Sequence, residues 1–216
     1  MNTRIQAGPF ISNYPIKMQK IYISAQSLLK DSYTLGKQIL ESNFRPNFIV
    51  GVWRGGTPVG ISVQEMLAFF GLKSDHIAVR TSLYTGLDKR DRHVKVHGMD
   101  YLITHMNYSD SLLIVDDVFD TGRSIDAIMN TLDQKMRRNC PAQIKVATPW
   151  FKPNKNATTR IPDYYVHETD DWLVFPHELD GLSIGEIRSG KGELANILAS
   201  VDFPENPMLK ADDKQA

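Results

Sequence analysis

One stretch of the chain, SLLIVDDVFDTGRSIDAIM (residues 111–129), constrains the fold more than any other. Five residues suited to a buried strand, 111–115, are followed at once by acids and then by a short loop that contains Gly122. Beyond the loop, apolar residues recur at the spacing of one helix face, namely Ile125, Ile128, Met129, Leu132 and Met136. A strand, a loop and a helix in immediate succession indicate one unit of an α/β sheet.

The same succession of strand and helix repeats along the chain. Ser24 suits the N-cap of a helix that ends near Asn43, and Thr57 suits the N-cap of a second helix that ends at Gly71. Apolar runs rich in β-branched residues predict strands at residues 47–53, 76–84, 111–118 and 143–151, with short extended pieces at 164–169 and 172–176. Strands that alternate with helices predict an α/β fold with a doubly wound, mostly parallel sheet, which binds ligands at the carboxyl ends of its strands.

Length and charge narrow the functional classes. The 216 residues suit a single domain over residues 1–216. The 25 basic and 25 acidic residues cancel, so we expect no nucleic-acid or membrane partner. The one cysteine, Cys140, excludes an intrachain disulfide. The first twenty residues lack the apolar core of a signal peptide, and no apolar run approaches the ~20 residues needed to span a bilayer, so we expect a cytoplasmic protein.

The loop after the 111–115 strand has the chemistry of an anion site. Residues 120–124, DTGRS, precede a helix, so unpaired N–H groups and the positive end of the helix dipole face the loop. Such loops bind phosphate, although Thr121 or Ser124 alone could equally be a plain N-cap. The adjacent Asp116 and Asp117 favour a ligand site, because neighbouring carboxylates repel each other unless a cation, hydroxyl donors or solvent compensates. A sugar diol and a Mg²⁺ ion would both do so.

These segments resemble a known family. LLIVDDVFDTGRSI (residues 112–125) closely resembles the phosphoribosyl-pyrophosphate (PRPP) signature of type I phosphoribosyltransferases, and IVGVWRGGTPVG (49–60) is similar to their first strand and pyrophosphate loop. TSLY (81–84) resembles the start of their mobile lid. ATPWFKP (147–153) and ETDDWLVFPHELDG (168–181) are similar to the branch that acts on 6-oxopurines. The resemblance implies a PRPP-binding core at residues 21–150, a small base-binding hood segment at 151–187 and a polar C-terminal tail at 188–216.

The resemblance also implies an activity. It predicts a purine-salvage transferase that moves the 5-phosphoribosyl group of PRPP to hypoxanthine, guanine or xanthine, with Mg²⁺ as cofactor. Asp120 would accept or stabilise the proton on N7 of the purine. The residues that would bind PRPP are Arg54, Gly55, Gly56, Ser82, Tyr84, Asp116, Asp117, Thr121, Gly122, Arg123 and Ser124. Among these, Asp116 and Asp117 would also hold Mg²⁺, directly or through water.

The purine would meet residues of the hood. Lys152 would donate to the 6-oxo group, Trp172 would stack on the base and Leu173 would offer backbone contacts. Either Glu178 or Asp180 would meet the 2-substituent, because the spacing shifts by a residue or two among relatives. The choice among hypoxanthine, guanine and xanthine therefore stays open, and His177 stands where that branch more often has an aromatic residue.

Two other functions remain open at this stage. One is a phosphoribosyltransferase for another base, such as a pyrimidine or orotate. The other is a regulator of the same fold that senses PRPP or nucleotide and binds nucleic acid without catalysis. Such regulators often carry a DNA-binding module or a strongly basic face, and this chain has neither. Because members of the family are usually homo-oligomers, we expect a dimer or a tetramer.

Overall fold

The structure is a computed structural model, and it describes residues 20–85 and 92–201. Ser24 caps the first helix, as predicted, because its Oγ accepts a hydrogen bond from the Ser27 amide at 3.0 Å. In chain order the elements are β1 (Lys20–Tyr22), α1 (Ala25–Glu41), β2 (Phe48–Trp53), α2 (Gly56–Phe69), β3 (Asp75–Thr85), β4 (Arg92–His97), α3 (Asp100–His105), β5 (Ser111–Val115), β6 (Val118–Phe119), α4 (Arg123–Met136), β7 (Gln143–Phe151), β8 (Tyr164–Glu168), β9 (Trp172–Val174), α5 (Ile184–Gly190) and α6 (Gly192–Ala199).

The described strands form two sheets. Seven of them make the main sheet, in the order β4-β3-β2-β5-β7-β6, with β8 also paired to β7. Every pairing in it is parallel except that of β3 with β4, so the predicted doubly wound, mostly parallel sheet is confirmed. The remaining strands, β1 and β9, pair with each other in a separate parallel two-stranded sheet, the small sheet.

The main sheet is covered on both faces, which explains the unbroken apolar run of its central strand. In β5, Leu112 and Ile114 join the core beneath α3 and α4, whereas Leu113 and Val115 join the core beneath α1 and α2. All four side chains are fully buried. A strand buried on both faces reads as continuously apolar rather than alternating, and residues 112–115 do so.

The structure corrects two local predictions. Helix α2 begins at Gly56 with Gly55 at its N-cap, so Thr57 is a helical residue and not the cap. Residues 188–199, within the predicted polar tail, form helical structure that was not predicted, because α5 continues to Gly190 and α6 follows it. Helix α6 packs Ala195 and Leu198 against a small apolar cluster of the hood. The capping box of α5, formed by Ser183 and Glu186, was a sequence signal for this helical end.

Candidate active site

The carboxyl ends of β2 and β5 bring together the two unusual loops of the sequence. These strands pair in parallel with Gly51 opposite Val115, so the RGG loop (residues 54–56) and the acids 116–117 leave the sheet side by side. Glycine is needed here, because a β-carbon on Gly56 would lie 2.3 Å from the Val115 carbonyl oxygen, and one on Gly55 would lie 1.8 Å from Asp117 Oδ2. The Trp53–Arg54 peptide bond is cis. The loop and the acids therefore form one contiguous surface.

The two acids have different surroundings. The Asp116 carboxylate accepts a hydrogen bond from the Asp117 amide at 3.0 Å. Part of the Asp116 residue remains accessible, but protein atoms crowd its carboxyl group, and this burial together with the nearby charge of Asp117 raises its pKa well above the usual 3.8. Asp117 is buried, and its Oδ2 lies 3.3 Å from Nε2 of His177. His177 is thus a site residue that the sequence interpretation did not assign.

The DTGRS loop (residues 120–124) begins helix α4 in the form of an anion cradle. Its N-cap is Gly122, with φ of +75° and no side-chain cap, so the plain N-cap interpretation of Thr121 or Ser124 is wrong. A β-carbon on Gly122 would lie 2.7 Å from Thr158 Oγ1 and 2.8 Å from the ring of Phe119. Because no side chain caps this helix, its first-turn amides can serve an external anion.

Two charged side chains meet where β6 pairs with β7. Phe119 lies opposite Phe151 in this pairing, and the Lys152 amide donates to the Phe119 carbonyl at 2.9 Å. Asp120 and Lys152 follow these strand ends, and Lys152 Nζ lies 3.1 Å from Asp120 Oδ2. Lys152 is only 6% exposed, whereas the Asp120 side chain is 40% exposed. A buried ammonium next to an accessible carboxylate presents a donor and an acceptor to the same space.

A cavity of about 290 Å³ lies against this pair, near the low end of the size range of small-molecule sites. The predicted purine-binding residues all line it. They are Lys152, Trp172, Leu173, Glu178 and Asp180, and they share the cavity with Asp117 and Asp120. The structure thus gathers five residues from three separate segments of the sequence around one space.

Trp172 forms an accessible wall of the cavity. It is 52% exposed, and Nζ of Lys20 lies 5.6 Å from the centroid of its ring, within the range of a cation–π contact. Lys20 also forms an ion pair with Glu186 at the start of α5. Lys20 of the small sheet therefore links the ring of Trp172 to the start of α5.

The turn that carries Glu178 is held by Lys191, which lies between α5 and α6. Lys191 Nζ donates to the carbonyls of Phe175, Pro176 (3.2 Å) and Glu178. Burial lowers the pKa of Lys191. The Glu178 carboxylate accepts the Phe175 amide at 3.0 Å, whereas Asp180 is exposed at the cavity. An isolated lysine in a polar segment gives no sequence signal for such a role.

The predicted lid begins on a strand of the main sheet. Ser82 and Tyr84 are on β3, where Ser82 Oγ lies 3.1 Å from His97 Nε2. Tyr84 pairs with His93 of β4 through the backbone. Residues 86–91 of the predicted lid fall outside the described residues, so closure over a ligand stays a prediction. Among the helices of residues 20–85 and 92–201, none has the length and apolar character to cross a bilayer.

Comparisons with known proteins agree with this geometry. The chain is 26% identical over 193 residues to xanthine phosphoribosyltransferase 1 of Saccharomyces cerevisiae, covering 76% of this chain and 92% of the relative. It is 24% identical over 149 residues to the hypoxanthine-guanine phosphoribosyltransferase of Lactococcus lactis, covering 68% and 75% of the two chains. The crystal structure of a purine phosphoribosyltransferase from Pyrococcus horikoshii matches with a TM-score of 0.62 and 26% identity, over 76% of this chain and 97% of that one.

The family model of the phosphoribosyl transferase domain matches residues 19–180, well over half of the chain. This range includes both strand-end loops, the Asp120–Lys152 pair and the aromatic wall. The matched segments are those on which the sequence resemblance was based. The chain therefore belongs to the phosphoribosyl transferase family, and the relatives it resembles are purine phosphoribosyltransferases.

Proposed function

We propose that the chain is a 6-oxopurine phosphoribosyltransferase, which transfers the phosphoribosyl group of PRPP to hypoxanthine, guanine or xanthine and releases pyrophosphate. The observation that carries this proposal is the Asp120–Lys152 pair, 3.1 Å apart at the wall of the cavity. A 6-oxopurine presents a ring N7–H beside the acceptor oxygen O6. The carboxylate can accept the first and the ammonium can donate to the second.

The same pair discriminates among bases. Adenine would offer two donors on this edge, so its amino group would face the ammonium of Lys152. The buried ammonium of Lys152 would then lose the hydrogen bond to O6 and meet the positive end of an N–H dipole instead, which disfavours adenine. The names of the two curated relatives, a xanthine enzyme and a hypoxanthine-guanine enzyme, support the same class of base.

The PRPP end of the reaction would use the two strand-end loops. The first-turn amides of α4, with Thr121, Arg123 and Ser124, would hold the 5′-phosphate. The RGG loop would hold the pyrophosphate, since Gly55 and Gly56 leave its backbone open to close approach. Holding both ends fixes the anomeric carbon of the ribose opposite the purine nitrogen that attacks it.

Asp116 and Asp117 fit a divalent cation. Both are oxygen donors on one rim, and burial together with the nearby charge of Asp117 raises the pKa of Asp116. Mg²⁺ is bound in proteins through one or two carboxylates together with waters and substrate phosphates, so a pair of acids suffices. When bound, Mg²⁺ would neutralise the charge that develops on the departing pyrophosphate. The carboxylates would also accept hydrogen bonds from the ribose hydroxyls.

Bond formation would follow from these positions. The purine N9 forms a bond to the anomeric carbon as the bond from that carbon to pyrophosphate breaks. The ribose carries positive charge while the old bond is largely broken and the new bond is incomplete. Asp120 would stabilise or accept the N7 proton, so that the purine does not become cationic as it attacks. Trp172 would stack on the base, and Glu178 or Asp180 would meet its 2-substituent. Ser82 and Tyr84 would exclude water, which would otherwise hydrolyse PRPP.

A base panel tests the proposal. Pyrophosphate release is measured with PRPP and Mg²⁺, and with hypoxanthine, guanine, xanthine, adenine, uracil or orotate in separate reactions. We expect release with the 6-oxopurines alone. Release with uracil or orotate would assign another base class, and Mg²⁺-dependent binding of PRPP without release for any base would indicate a regulator.

Two variants test whether Lys152 recognises the purine. Lys152→Gln keeps a hydrogen-bond donor but removes the charge, so kcat/KM for the preferred purine should fall by about tenfold to a hundredfold. Asn47→Ala serves as the matched control. Its side chain accepts the Ser111 amide at 2.9 Å at the amino end of the sheet, far from the cavity.

We expect sedimentation of the wild type to show a homo-oligomer.

A further inference from the structure

One loop contacts both the DTGRS loop and the segment that carries Trp172. Residues 152–160, the bridging loop, leave the carboxyl end of β7 and start at Lys152. The Lys152 carbonyl accepts hydrogen bonds from the amides of Lys155 at 3.3 Å and Asn156 at 3.2 Å. The loop is therefore folded back on the residue that contacts the purine in the proposed function.

On one side the bridging loop supports the DTGRS loop. The Ala157 amide donates to the Thr121 carbonyl at 3.1 Å, and Thr158 Oγ1 fills the space where a β-carbon of Gly122 would lie. Asn156 fixes this arrangement from within, because its Oδ1 accepts both the amide and the hydroxyl of Thr158 at 2.9 Å. Its Nδ2 donates to the Arg160 carbonyl at 2.8 Å, which closes the turn.

On the other side the bridging loop is tied to the aromatic wall. The Asn154 amide donates to Asp170 Oδ1 at 3.1 Å, and the Asn154 side chain donates to the other carboxylate oxygen. Asp170 stands two residues before Trp172, in the connection between β8 and β9. Within the described residues, this carboxylate bonds the bridging loop to the segment that delivers the tryptophan.

We propose that the bridging loop sets the separation between the purine and the 5′-phosphate, with Asn156 and Asp170 as its positioning residues. Neither side chain lines the cavity, so neither would touch a substrate. Asn156 acts through Thr158 and Ala157 on the phosphate end, and Asp170 acts through Asn154 on the base end. The inference rests on the proposed function, in which the two ends must be held at a fixed distance for N9 to reach the anomeric carbon.

The two residues predict opposite kinetic effects. Asn156→Ala should raise the KM for PRPP about fivefold to thirtyfold and leave the KM for the purine within about twofold. Asp170→Ala should do the reverse, because it frees the aromatic wall but not the DTGRS loop. Asn47→Ala is again the control. It removes one side-chain-to-backbone hydrogen bond at the amino end of the sheet and should change neither KM.

A second pair covers the case in which Asn156→Ala does not fold. Thr158→Ser keeps the hydroxyl that donates a hydrogen bond to Asn156 Oδ1, so it should bind PRPP as the wild type does. Thr158→Val keeps the shape but loses the hydroxyl, and should raise the Kd for PRPP in the same direction as Asn156→Ala.

The readouts separate this inference from the proposed function. Kd values for PRPP, measured by calorimetry without any base, give the phosphate-side result even if no base is turned over. Lack of turnover with every base would refute the proposed function alone. Equal changes in both KM values, or identical PRPP affinity in Thr158→Ser and Thr158→Val, would overturn the positioning role of the loop.

Discussion

Replacing Gly56 by alanine tests whether close backbone contact sets the position of the RGG loop. A β-carbon there would lie 2.3 Å from the Val115 carbonyl oxygen and 2.7 Å from Cα of Asp116. Real β-carbons essentially never lie within 3.0 Å of such an atom, so the helix start and the strand end would have to separate by about 0.7 Å. Both contacted atoms are backbone, and no rotamer change can relieve the overlap.

The magnitude follows from these contacts. Overpacking of this kind costs about 1–3 kcal/mol in the free energy of unfolding, because the start of α2 and the end of β5 both belong to the core. In the proposed function, such a shift of the RGG loop would also misplace the pyrophosphate. Misplacements of that size cost up to about a hundredfold in rate, so we expect kcat/KM for PRPP to fall by about tenfold to a hundredfold.

Two glycines of the same region provide controls. A β-carbon on Gly60 would lie 3.6 Å from Gly51 Cα, an ordinary contact, so Gly60→Ala should keep activity and gain about 0.5–1 kcal/mol from its helical position. The atoms nearest to a β-carbon on Gly55 all belong to the side-chain carboxyl group of Asp117, whereas those nearest to one on Gly56 are backbone atoms. Gly55→Ala should therefore weaken PRPP binding with a smaller loss of stability than Gly56→Ala.

Urea denaturation measures the stability of the three variants, and steady-state kinetics measures their kcat/KM for PRPP. The expected order of stability is Gly60→Ala, then Gly55→Ala, then Gly56→Ala. If Gly56→Ala unfolds at the same urea concentration as Gly60→Ala and retains full kcat/KM, the close contact does not position the loop, and the reasoning is refuted.

Three further substitutions address single side chains. Asp120→Asn should lower kcat by about a hundredfold or more while the Kd for PRPP is unchanged, since general acid–base catalysis contributes that much; unchanged turnover would remove its assigned role. Trp172→Ala should weaken nucleotide binding by about 1–3 kcal/mol in calorimetry, with little effect on PRPP, and equal losses would contradict stacking. Asp116→Asn should unfold at a higher temperature than the wild type at pH 8 in the absence of divalent cations. The raised pKa means that the folded protein binds this proton more tightly than the unfolded chain, so wild-type stability falls as pH rises above the ordinary value of 3.8. The two proteins should converge as pH falls to that value, and a difference independent of pH would contradict the cause given.

The sequence predicted the arrangement of the residues proposed to bind PRPP more completely than that of the residues proposed to bind the base. Residues 111–124 lie in one strand, one turn and one helix start, so local pattern was enough to predict how they are arranged. Lys152 could not be judged in this way, because only the pairing of β6 with β7 places it beside Asp120, 32 residues away along the chain. A lysine next to a proline gives no pattern of burial, and only the family resemblance singled it out.

The errors have a similar cause. His177 contacts Asp117 across 60 positions of sequence, and no periodicity reports such a contact. Helix α6 was missed because it is only eight residues long and packs Ala195 and Leu198 on a small cluster rather than on the main core. Short helices of this kind depend on tertiary packing more than on their own propensity.

The division of the strands into two sheets has a consequence for how such enzymes diversify. The DTGRS and RGG loops, which would hold phosphate and pyrophosphate in the proposed function, follow strands of the main sheet, whereas Trp172 and Leu173 belong to the small sheet with β1. Substitutions that reshape the small sheet therefore leave the register of β2, β5 and β7 untouched. In the proposed function, a change of base preference would therefore need few mutations, all in the small sheet, while the loops proposed to bind PRPP keep their positions.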